Sequence, residues 1–288
     1  MNWRSNPYIR LMRLDKPIGT FLLLWPTLWA LWFATKGQPD PFILLVFVTG
    51  VFLMRAAGCV INDFADRKVD GKVKRTENRP LVTGEVSSKQ ALALFFGLIT
   101  LAFALVLTLD WNTVALSVVA LILAAIYPFM KRYTHLPQVF LGAAFGWAIP
   151  MVYMASTGAI PIEAWLLFVA NMLWVLSYDT MYAMVDHEDD IKAGIKSTAV
   201  LFGKFTPFWL SLFQVFFIVL MFQIGLMTFQ GMYYYIAIVI ALFLGLYQQK
   251  LIQVGQRELY FKAFLNNNLL GFIIFMGIFI NYAVFTHV

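Results

Sequence analysis

The sequence predicts an all-α, polytopic membrane protein with nine transmembrane helices, and three observations carry that expectation. Of its 288 residues, 61% are hydrophobic and 12% charged, which is more apolar surface than a soluble core of this length can bury. The apolar residues fall in continuous runs, without the period-two alternation that a membrane β-barrel strand needs. Basic residues collect in alternate gaps between those runs.

A hydrocarbon core of about 30 Å takes about 20 apolar residues per helix. On that measure the spans fall near residues 18–35, 41–65, 88–108, 112–130, 136–155, 162–185, 206–227, 231–249 and 266–286. The first run follows Arg4, Arg10, Arg13 and Lys16, as a secretory signal would. It carries Trp25, Trp29 and Trp32 and lacks a small-residue cleavage site, so it reads as the first span. No gap has the composition of a flexible linker, and residues 1–288 read as one domain. The single cysteine, Cys59, excludes an internal disulfide and a thiolate metal site.

Nineteen of the 21 Lys and Arg residues lie in the N-terminal segment or in even-numbered connections; Lys36 lies in an odd-numbered one and Arg55 within a span. This places the N-terminus and the charged connections in the cytoplasm and the C-terminus on the opposite side. The basic pI of 9.3 is thereby accounted for by topology, without nucleic acid as a partner. Chemistry is expected at the cytoplasmic face.

Two constellations sit there. At the end of the second span, Asn62, Asp66 and Asp70 are four residues apart, and Arg55 lies seven before Asn62 on nearly the same helical face. At the end of the sixth, Asp179, Tyr182, Asp186 and Asp190 again share a face. Stacked carboxylates repel one another unless a cation sits between them, and oxygen ligands of this kind suit Mg²⁺. The competing reading, solvated acids at helix ends, is weakened by Arg55 and Asp179, which reach back into apolar helices where ionisable groups are costly. Arg67, Lys68, Lys131, Arg132 and Lys196 would neutralise the outer oxygens of a diphosphate held by two such ions. His135 and His187 have no His or Cys partner at ligand spacing. An ion-coupled transporter would place its charges near the bilayer midplane on broken helices, unlike these ladders.

The signatures N-D-x-x-D-x-x-x-D at residues 62–70 and D-x-x-Y-A-x-x-D-x-x-x-D at 179–190 resemble the UbiA superfamily of intramembrane prenyltransferases. The segments 13–20, 75–81 and 194–198 are similar to its 4-hydroxybenzoate polyprenyltransferase branch, which serves ubiquinone biosynthesis. The resemblance implies nine helices around a central cavity in a bacterial inner membrane. It implies Asn62, Asp66, Asp70, Asp186 and Asp190 about Mg²⁺ and diphosphate, and Arg55, with Tyr182, on the aromatic acceptor. The expected substrates are a polyprenyl diphosphate and 4-hydroxybenzoate, with membrane lipid as surroundings and no obligate protein partner. Homogentisate or a naphthoate is the alternative acceptor. In that chemistry a carboxylate removes the ring proton, and Asp179 and Asp186 are the candidates. A salt bridge between Arg55 and Asp179 is the structural alternative for Arg55.

Overall fold

In the computed structural model, residues 3–67, 71 and 76–285 are described, and all their regular structure is helical. Two short surface helices, α1 (Pro7–Leu11) and α4 (Pro80–Thr83), flank the first spans. The membrane helices are α2 (Ile18–Ala34), α3 (Pro41–Asp66), α5 (Ser88–Val106), α6 (Trp111–Tyr133), the broken pair α7 (Pro137–Gly146) and α8 (Ala148–Thr157), and α9 (Ile162–Val185). After the short α10 (His187–Ala193) and α11 (Thr198–Phe202), α12 (Thr206–Met227), α13 (Met232–Gln253) and α14 (Arg257–Phe285) complete the bundle. Eight helical stretches among the described residues are long and apolar enough to cross a membrane, with the α7–α8 pair taken as one. The 17-residue α2 supplies a shorter apolar helix. The nine expected runs are therefore all present.

The helix starts follow local chemistry. Asp40 caps α3 by accepting from the amides of Phe42 and Ile43, with Pro41 at the first position. Ser87 and Gln90 form a reciprocal capping box on α5, and Asp110 caps α6 through Asn112 and Thr113.

The structure corrects the sequence reading in two places. The fifth span is not one helix: it breaks at Trp147, and Pro150, four residues beyond Gly146, has no amide to return to that carbonyl. The last helix begins at Arg257 rather than near residue 266. Its first turns alternate exposed Arg257, Glu258 and Lys262 with buried Ala263 and Phe264, an amphipathic pattern that hydropathy alone scores as a loop.

α14 ties the bundle together through indoles. Trp25 Nε1 of α2 donates to Asn268 (2.8 Å), Trp29 Nε1 to the Gly271 carbonyl (3.1 Å), and Trp174 Nε1 of α9 to Asn267 (2.9 Å). A Cβ on Gly271 would lie 2.5 Å from Trp25 and 2.9 Å from Trp174, so only glycine lets the rings close over this helix. Polar groups inside a bilayer must find partners within the protein, and these indoles find them on one helix. Replacing Asn267 with Leu leaves the Trp174 N–H buried without an acceptor, an expected loss of about 1–3 kcal/mol. Thermal unfolding in detergent should show a lowered midpoint; an unchanged one would contradict this account.

Candidate active site at the charged helix ends

The last turns of α3 present Asn62, Asp63 and Asp66, and the most buried carboxylate is the one that spacing left out. Asp63 is 1% exposed. It accepts from Arg13 Nη2 on both oxygens (2.9 and 3.1 Å) and pairs with Arg79 Nη1 at 3.0 Å. The sequence reading gave Arg13 and Arg79 no role in the site. They instead fasten the segment after α1 and the turn before α4 to the helical turn that carries Asn62 and Asp66. The adjacent pair Arg10–Glu85 (2.9 Å) reinforces that attachment. Arg13 itself has a positive φ of 58°, which is uncommon for a non-glycine residue and suits its sharp turn back toward Asp63.

Asp66, also buried, is paired with Lys131 and lies 4.0 Å from Arg132 Nη2. Both cations occupy the last turn of α6, where the helix dipole favours positive charge, and Arg132 also donates to the Ala65 carbonyl (2.6 Å). Lys196 joins them: its backbone amide donates to the Lys131 carbonyl (3.1 Å) and its ammonium to that of Tyr133 (3.3 Å). The segment that carries Lys196 is held by Thr198, whose amide donates to Gln138 Oε1 (3.2 Å) and whose hydroxyl bonds Thr180 (2.6 Å). Three of the expected diphosphate-binding cations thus gather at one helix end. Arg67 is turned back on its own helix, stacked over Phe64 (4.1 Å) and donating to the Phe64 carbonyl (2.5 Å). Lys68 and Asp70 lie outside the described residues.

On the facing side, the expected single ladder is broken. Asp186 ends α9 with φ −102° and ψ 6° and begins α10, so Asp179 and Asp190 stand on two helices joined at Asp186. The Asp190 amide still donates to the Asp186 carbonyl (2.8 Å), which keeps the two acids near one another. Arg257 of α14 reaches Asp186 and Asp189, both at 3.3 Å. No sequence motif marked Arg257, because it lay in the stretch read as a loop.

These acids offer oxygen donors of the hard type that Mg²⁺ prefers, with no thiolate or imidazole among them. They fit a divalent cation as two half-sites, Asn62 with Asp66 and Asp186 with Asp190. Among the described residues, no three acidic, histidine or cysteine side chains form a complete metal-binding group.

Behind the acids a cavity runs between α2, α3, α5, α6 and the α7–α8 break, with walls such as Phe47, Val51, Phe103, Leu121 and Phe145. Arg55 is the charged side chain among its lining residues. The Arg55 Nε is buried with no hydrogen-bond partner, as is the Tyr178 hydroxyl, and the two groups are within electrostatic reach of each other. Tyr127 and Tyr182 also face Arg55, with Tyr182 packed against Phe264 at 4.9 Å. Asp179 has Gln138, Arg55 and Lys131 as its polar neighbours, yet no Arg55–Asp179 salt bridge forms among the described residues. The guanidinium lies flat on α2 at Gly19, where a Cβ would stand 2.3 Å from Nη2 and 2.6 Å from Nε. Sequence spacing located Arg55 and Tyr182; it had no signal for Gly19 or Tyr178, which become neighbours of Arg55 only when α2, α3 and α9 are assembled in the bundle.

The sequence pattern of the UbiA prenyltransferase family matches residues 23–280. The chain belongs to this family. A 4-hydroxybenzoate octaprenyltransferase of Pseudoalteromonas translucida is 59% identical over 277 residues, which cover 96% of this chain and 95% of that protein. The apo structure of a UbiA homolog from Aeropyrum pernix K1 superposes with a TM-score of 0.82 at 25% identity, covering 91% of this chain and 97% of the homolog. A UbiA homolog from Archaeoglobus fulgidus, bound to GPP and Mg²⁺, shares the fold with a TM-score of 0.71 at 19% identity over 96% of this chain and 100% of its own.

Asp63→Asn removes the charge that holds two arginines. We expect faster tryptic cleavage after Arg13 and a lower unfolding midpoint, with membrane insertion unchanged. Wild-type cleavage rates would show that the clamp does not restrain this segment.

Proposed function

We propose that this protein transfers a polyprenyl group from its diphosphate to the ring carbon ortho to the hydroxyl of 4-hydroxybenzoate, at the cytoplasmic face of a bacterial inner membrane. The observation that carries the reading is Arg55: a forked cation within a membrane span, its Nε buried and unpartnered, at the head of an apolar cavity. Burying such a group is costly unless an anion meets it, and a carboxylate matches its fork. The Tyr178 hydroxyl supplies a second unpartnered donor for the same acceptor. The octaprenyl donor of the relatives supports a long isoprenoid tail, for which the cavity walls provide an apolar path.

In this reading, Lys131, Arg132 and Lys196 draw charge from the departing diphosphate, and Asn62, Asp66, Asp186 and Asp190, with Asp70, are the residues that would hold a divalent cation. Mg²⁺ bound there would supply Lewis-acid stabilisation of the leaving group. The allylic C–O bond stretches toward a carbocation as the acceptor, oriented by Arg55, presents its ortho carbon. The apolar walls keep water from that cation. Asp179, beside Arg55 and free of a salt bridge to it, takes the ring proton. Asp186 is assigned to the metal, because it lies at the junction of α9 and α10 with its neighbour Asp190.

Incubation of purified protein with radiolabelled 4-hydroxybenzoate, octaprenyl diphosphate and Mg²⁺ should move label into the lipid extract, and EDTA should stop it. Label that stays aqueous beside an active control enzyme would overturn the reading. Asp66→Ala and Asp186→Ala should each abolish turnover without loss of inserted protein; near-normal product at saturating Mg²⁺ would refute the metal assignment.

Arg55→Lys keeps the charge and loses the fork, so the KM for 4-hydroxybenzoate should rise about ten-fold or more while that for prenyl diphosphate stays nearly constant. Gly19→Ala should reproduce this split, because its methyl displaces the guanidinium without touching the acidic helix ends. Equal weakening for both substrates would assign Arg55 a structural role instead.

A further inference from the structure

A second cleft lies between α9, α12, α13 and α14 and shares no residue with the cavity of Arg55. None of its lining residues is charged. Val215, Leu242 and Leu246 on its walls are about half exposed, so it opens toward the membrane. Its polar groups are Ser177, Ser211, Gln214, Gln249 and the already bonded Asn267.

The amides here form a chain with one direction. Gln249 Nε2 donates to Gln214 Oε1 (2.8 Å), Gln214 Nε2 to Gln248 Oε1 (2.7 Å), and Gln248 Nε2 to Asn266 Oδ1 (3.0 Å). That direction leaves Gln249 Oε1 at the end of the chain, buried and without a donor. Ser177 is 1% exposed, and its Oγ likewise has no partner. Unsatisfied polar atoms in a bilayer cost several kcal/mol each, so two in one cleft require an explanation. Ser177 lies eight residues before the end of α9 and Gln249 four before the end of α13, about 6–12 Å below those helix ends at 1.5 Å per residue.

We propose that this cleft binds a neutral membrane-dissolved molecule with a hydroxyl head, an alcohol or a phenol, on a long apolar tail. A hydroxyl is a compact neutral group that both donates, as Gln249 Oε1 requires, and accepts, as the Ser177 O–H allows. A carboxylate or phosphate would face an acceptor oxygen with no cation nearby, and an ammonium would lack a counter-charge. The tail leaves through the lipid-exposed gap at Val215 and Leu246. This inference does not depend on the prenyl-transfer reading.

The test uses the full chain in lipid nanodiscs and a 4-dodecylphenol carrying a diazirine in its tail, with cross-linked peptides mapped after illumination. Saturable labelling of α12 or α13 is expected, competed by unlabelled 4-dodecylphenol or dodecanol but not by dodecanoate. The better of the two neutral competitors assigns the head group. Ser177→Ala and Gln249→Leu should each lower labelling about ten-fold, while folding and prenyl transfer stay as in wild type. Ser177→Ala removes one oxygen and keeps the packing, so it reads binding even if Gln249→Leu disturbs the amide chain. Non-saturable labelling, equal competition by dodecanoate, or undiminished labelling of Ser177→Ala would overturn the proposal.

Discussion

The cost of an unpaired charge in hydrocarbon governs this structure. A bilayer offers no water to an ionised group, so each acid in the helical ends must be matched by a cation of the protein or by a ligand. Asp63 is matched by Arg13 and Arg79, Asp66 by Lys131 and Arg132, and Asp186 by Arg257. Each pair joins separate elements of the chain, and together they close the charged end of the bundle. The same rule makes Arg55 conspicuous, because its Nε has no such match.

The pairs divide into two kinds. Asp63 is nearly inaccessible and held from two sides, so it works as a fixed point on which the N-terminal segment and the turn before α4 are registered. The cations on Asp66 and Asp186 retain substantial exposure, 26% for Lys131 and 47% for Arg257. Long side chains of that mobility can turn from a carboxylate to a phosphate oxygen, and the acids are then available to a metal. A rigid clamp beside a changeable charge pattern positions the chemistry while leaving its charges free to redistribute.

Small residues serve the same end at the sites of closest approach. Gly19 gives Arg55 a flat bed on α2, and Gly271 lets Trp25 and Trp174 meet over α14. Where polar side chains lie within the helices, as in the Gln249–Gln214–Gln248 chain, neighbouring helices supply the partners. α14 thus serves twice, through its asparagines in the core and through Arg257 at the reactive end.

The membrane class, the nine apolar runs and the two acidic constellations were legible in the sequence, because hydropathy and the 3.6-residue period are properties of neighbouring residues. Arg55 stood out for the same reason, as a charge within an apolar run. The break at Trp147, the early start of α14 and the junction at Asp186 were not legible, since each depends on which backbone groups and faces are covered by other helices. Gly19 beneath Arg55, Tyr178 beside it, Arg257 on Asp186 and Asp63 as the clamp were decided by tertiary structure alone. Their partners lie tens to hundreds of residues away, and a one-dimensional pattern carries no distance between faces that meet only when the helices pack.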